Sequence, residues 1–163
     1  MASFEEHIAQ AKRNLAFLKQ INEQCNDHWD WQVTTCFYVA VHLANAHIAK
    51  MSNMHYRSHS DVKFALNPEN KLSITKFNEE QYKAYVKLMN LSRRARYLCH
   101  ENPETIDGEK SFMTYDVHMN KALKNLDILL VYFKSQYNIE FESLPVKCLE
   151  VKNGSMVYFS PIS

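Results

Sequence analysis

Three side chains near the end of one predicted helix carry most of the reactive chemistry in this sequence: Arg93, Arg96 and His100. At about 100° per residue, Tyr82, Tyr85, Val86 and Met89 define an apolar face, and Arg93, Arg96 and His100 continue it. Arg94 falls with Lys83, Lys87 and Asn90 on the opposite, solvated side. An unpaired guanidinium is too costly to bury. These cations must therefore meet a carboxylate, a helix C-terminus, a partner chain or a phosphate. Asp61 or Asp116 offers a structural ion pair, and the helix dipole favours cations at this end. An anion site is the functional solution, because the guanidinium fork matches phosphate.

A second polar set lies on the stretch from Asp30 to Lys50, DWQVTTCFYVAVHLANAHIAK. It holds no Gly or Pro and is apolar on most of its circumference, so it reads as a buried central helix. Tyr38, His42 and Asn45 recur on it at helical spacing and share one stripe. Two arrangements satisfy that stripe. Its members bond internally, as buried polar groups usually do, or they face Arg96 and His59 across a cleft that binds nucleotide or RNA. His55, His59 and Asp61 match no metal-binding spacing, so neither metal nor cofactor is expected. His7, His28, His47 and His118 read as surface residues.

Helices must position these groups. Only 2 Gly and 4 Pro occur, between or after long periodic segments, which predicts an all-α chain of long helices. Ser3 with Glu6 is a capping box that opens a first helix ending near Cys25. The central helix, capped by Asp30, ends near Ser52. Ser58 or Ser60 caps a short third helix through Leu66, stopped at Asn67-Pro68. Asn78, with Gln81, opens a fourth helix over 79–99. A fifth, from about Ser111 to Tyr137, buries the seam Met119, Leu123, Leu126, Leu130, Phe133 and Tyr137. The tail switches to strand-like segments, Val146–Lys152 and Met156–Ser160. Asn153-Gly154 between them predicts a short β-hairpin that must pack on the helices. The division expected is a helical bundle over 1–140 and a tail over 141–163.

Net charge is +1, from 19 basic and 18 acidic residues, so bulk charge does not announce a nucleic-acid binder. Cys25, Cys36, Cys99 and Cys148 form no CxxC pair, which argues against a disulfide scaffold or structural zinc. The N-terminus lacks a signal-type apolar region, and no apolar run reaches the roughly 18 residues of a membrane span. A cytoplasmic protein with no membrane partner is expected.

The segments FYVAVHLANAHIAK, HYRSHSD and YKAYVKLMNLSRRARY together resemble the HEPN domain superfamily, over roughly residues 5–135. The likeness is to the small prokaryotic branch in which an LSxxARY stretch, here ending at Tyr97, closes a helix. It implies an up-and-down bundle of four or five helices, often a homodimer. It also implies metal-independent endoribonuclease activity, as in toxin–antitoxin or anti-phage systems with an antitoxin or defence partner. A non-catalytic module binding nucleotide or protein is the alternative. The family motif is Arg, four to six residues, then His. Arg93 with His100 fits at six and Arg94 with His100 at five, and the helical wheel prefers Arg93. By resemblance, Arg93 holds the scissile phosphate of RNA and His100 is the general acid or base. Arg96, Tyr97, Tyr38, His42, Asn45 and His59 are the candidate substrate-binding residues.

Overall fold

The computed structural model describes residues 2–97 and 108–162 of the chain. α1 (Phe4–Gln24) starts where expected: Ser3 Oγ accepts from the Glu6 amide at 3.1 Å, and Glu6 Oε2 accepts from the Ser3 amide at 2.7 Å. Such a cap satisfies two of the donors a helix start leaves orphaned. Its inward stripe is His7, Ile8, Ala11, Leu15, Leu18 and Asn22, two polar residues among the apolar ones, whereas Cys25 is exposed.

α2 (Trp29–Ser52) is the central element, in contact with α1, α3 (His59–Leu66), α4 (Glu79–Tyr97) and α5 (Gly108–Tyr137). Its buried residues, from Gln32 and Val33 through Ala46, His47 and Ile48, lie on nearly all sides, as a helix surrounded by others requires. Asp30 sits in the first turn, and His28 takes the cap position without a side-chain bond. Asn53, left-handed at φ 52°, turns the chain out of the helix. Ser58 caps α3 through the Asp61 amide at 3.2 Å, and Asn78 caps α4 through the Gln81 amide at 3.1 Å. In α5 the seam from Met119 through Phe133 is buried and Tyr137 is half-buried. Over the described residues the architecture is an all-α bundle of five helices with a small β element at its C-terminal end. Among the described residues, no helix is long and apolar enough to cross a membrane.

Three sequence expectations change. The tail strands β1 (Leu144–Val146) and β2 (Phe159–Pro161) pair in parallel, with Leu144 opposite Phe159. Asn153-Gly154 therefore turns inside the crossover 147–158 instead of closing a hairpin. Parallel strands need a connection of about a dozen residues. The cause is an anchor on α5: buried Asp127 accepts from the Val157 amide at 3.1 Å and the Tyr158 amide at 2.7 Å. Asn22 adds a second anchor, pairing with the Lys147 backbone at 2.8 and 3.3 Å and with Gln32 at 2.8 Å.

The second change is in α4. Its buried line is Gln81, Ala84, Tyr85, Leu88, Ser92 and Ala95, while Tyr82, Val86 and Met89 flank it half-buried. Alanine and serine allow the backbone to approach α2 and α5 closely, so the small residues face in. Arg93 and Arg96 are consequently exposed, as is Arg94. The third change concerns histidines: His7, His47 and His118 are buried, and only His28 of the four expected at the surface is exposed.

Candidate functional site

Arg93, Arg94 and Arg96 crowd the last turn and a half of α4, all exposed. Among the described residues, no hydrogen bond or ion pair engages Arg93 or Arg94, so neither Asp61 nor Asp116 neutralises them. Arg96 folds back, its Nε donating to the Ser92 carbonyl at 3.3 Å. Its charge reaches His59, the first residue of α3. Burial first and the Arg96 charge second hold His59 below the ordinary histidine value. The His59 ring stands edge-on to Phe37 of α2 at 5.1 Å, and exposed Tyr38 lies beside that same phenyl ring at 6.2 Å. This corner thus brings the charge of Arg96, an imidazole of lowered proton affinity and an exposed phenol around the Phe37 ring. Such a set suits an anion that also carries a flat apolar group. His100 and the Tyr97 side chain lie outside the described residues.

His42 and Asn45 do not belong to that corner. His42 turns towards α1, where its Nδ1 lies 3.2 Å from His7 Nδ1, and His7 Nε2 lies 3.0 Å from His55 Nδ1. Asn45 donates to the Val41 carbonyl and accepts from the Tyr56 amide at 3.3 Å, which holds the connection 53–58 against α2. The stripe therefore divides: Tyr38 looks out beside the His59 corner, while His42 and Asn45 fasten a loop.

The three imidazoles form a chain, not a cup. His7 spends both nitrogens on its two neighbours, so their lone pairs do not converge on one point. Among the described residues, no group of three or more His, Cys, Asp or Glu is arranged to hold a metal ion. Burial first, then the charges of His42 and His55, bring His7 down to about 4. His42 is also lowered, by burial, then by His55 and Arg13. His47 is a separate case: Nδ1 lies 2.6 Å from the Tyr137 hydroxyl and Nε2 3.1 Å from the Thr75 carbonyl. A carbonyl only accepts, so Nε2 donates and Nδ1 accepts from Tyr137. That bond ties α2 to α5 and to the 67–78 connection.

Sequence reasoning missed His7, although it sits one position from Ile8 on the four-and-three stripe of α1. The same reading recovers Asp127, next to Leu126 on the α5 seam. A polar residue on a buried stripe is the signal in both cases.

A cavity of about 660 Å³ lies elsewhere, between the start of α2, α5 and the tail. Trp29 stacks on Tyr115 at 4.5 Å on its wall, with Asp116, Met119, Lys147 and Cys148 nearby. Burial raises the Cys148 thiol to about 11, so it is no thiolate nucleophile at neutral pH. No family model, no curated protein and no solved structure matches this chain.

Proposed function

We propose that this chain is a HEPN-like, RNA-directed protein whose arginine-bearing end of α4 grips a phosphodiester. The observation that carries this reading is the group of exposed arginines at that helix end, two of them without a partner among the described residues, beside His59. Among the described residues nothing competes with an incoming phosphate for the Arg93 and Arg94 donors. Arg93 and Arg94 offer forked donors, and Tyr38 offers a face on which a base can stack.

In the catalytic form, the RNA 2′-hydroxyl attacks phosphorus and the bond to the 5′ oxygen breaks. His100 takes the hydroxyl proton or supplies one to the leaving oxygen, and Arg93 balances the charge developing on the phosphoryl group. Two copies facing each other would form one composite cleft, in a cytoplasmic toxin–antitoxin or anti-phage setting. A non-catalytic binding module is the second reading. It is favoured by the exposure of Arg93 on an open helix flank instead of the inward face.

The test is binding and cleavage of single-stranded RNA by the wild type, Arg93→Ala and His100→Ala. The nuclease reading expects all three to fold, Arg93→Ala to lose both binding and turnover, and His100→Ala to bind but not cut. Binding without cutting by the wild type selects the module. RNA neither bound nor cut by the wild type overturns both.

A further inference from the structure

The His7–His42–His55 chain joins three separate segments: α1, α2 and the connection 53–58 that leads into the α3 cap. Each neutral imidazole carries one N–H and one acceptor nitrogen. Each of the two contacts needs one N–H and one lone pair. With all three rings neutral the chain closes in either direction: His42 donates to His7 and His7 to His55, or the reverse.

One added proton is tolerated on any ring. Protonated His7 donates both ways, protonated His42 donates into a chain running towards His55, and protonated His55 donates into the opposite chain. A second proton is not tolerated. Two protonated rings place N–H against N–H in at least one contact, and like charges add to the mismatch. His7 and His42 are held on α1 and α2, the most extensively packed pair of helices. His55 lies on the non-helical connection between α2 and α3.

We infer that this imidazole chain is an acid-released latch that holds the connection 53–58 on the bundle until it has taken up two protons. The inference stands on the two contacts and does not depend on RNA being the ligand. The charged groups around it are few. Glu6 on α1 favours a proton on His7, and Arg13 on α1 opposes one on His42. Lys50 at the end of α2 lies over the Phe4 ring, and Arg57 on the connection is exposed. The low proton affinity of His7 keeps the latch closed at neutral pH. Release frees the residues that lead to Ser58 and His59, so the cap of α3 loosens with it.

The experiment is an NMR titration of the full chain from about pH 7.5 to about pH 4, following the His side-chain nitrogens and the Tyr56 amide. In the wild type, the Tyr56 amide should leave its bond to Asn45 in a step involving about two protons. Amides of 8–18 on α1 should stay put. His55→Ala leaves His7 Nε2 without its partner on the connection and should release the loop already at neutral pH. His55→Gln offers both N–H and C=O, so its contact survives every protonation state, and the loop should stay fastened to the end of the titration. A one-proton step or none in the wild type overturns the latch. So does a fastened loop in His55→Ala, or a His55→Gln profile that follows the wild type.

Discussion

Two regions of this molecule use cationic and potentially cationic side chains in opposite ways. Inside the bundle, His7 and His47 have both ring nitrogens engaged, and burial keeps them neutral. At the end of α4, Arg93 and Arg94 are always charged, exposed, and unengaged among the described residues. The interior set fixes where helices and connections sit. The exposed set makes no such bonds among the described residues. Surface cations away from special contacts change stability by only about 0.5 kcal/mol, whereas an orphaned buried polar group costs roughly 1–3 kcal/mol.

Removing an interior anchor should give the largest effect. Asp127→Ala strands the buried amide of Tyr158 and the part-buried amide of Val157, and stability should fall by roughly 3–4 kcal/mol. Asp127→Asn, which keeps one acceptor oxygen, should recover about half of that loss. Urea unfolding of the two variants gives both numbers. A small loss in Asp127→Ala would mean that the tail is not fastened through this carboxylate.

Acid should act next. Burial lowers both His7 and His47 to about 4, against an unfolded value near 6.5. Between those values the unfolded chain binds more protons than the folded one, so acid favours unfolding. Stability should be level above about pH 6.5 and fall by up to roughly 3 kcal/mol per histidine as pH drops towards about 4. Replacing His47 by Gln should remove its share of that slope. Urea midpoints across pH measure it, and an unchanged slope would show that His47 is not the group resisting protonation.

The helices and their caps were legible in the sequence, but this contrast was not: His7 and His47 read as surface residues and Arg93 and Arg96 as inward ones. Ser3, Ser58 and Asn78 were readable as caps because capping depends on neighbours three residues apart. The seam from Met119 to Phe133 was readable because large apolar residues repeat without interruption. The rotation of α4 was not, because its inward line carries Gln81, Ala84, Ser92 and Ala95. Tyr82, Val86 and Met89 look more hydrophobic than these, yet only flank the contact. Close helix approach selects small side chains, and a hydrophobicity wheel does not weigh that. The parallel sense of the tail escaped for another reason. A local Asn-Gly signal was overruled by Asp127, which lies far along the chain from the residues it holds. Of the candidate site, the charge of Arg96 reaches His59, and His59 and Tyr38 both lie against the Phe37 ring. His42 and Asn45 were visible as a polar stripe, but their partners were His7 for the one and the Tyr56 amide for the other.

The smallest effect on folding and the most direct test of the contrast come from one variant, Arg93→Ala with Arg94→Ala. Its unfolding midpoint should stay within about 0.5 kcal/mol of the wild type. The decisive measurement is its affinity for a single-stranded RNA across a salt series. The wild type should bind with a steep salt dependence, and the double variant should bind at least about tenfold more weakly, with a slope of log affinity against log salt reduced by roughly 1.4. Equal affinity and equal slope in the two proteins would contradict the assignment of the α4 end as a phosphate grip.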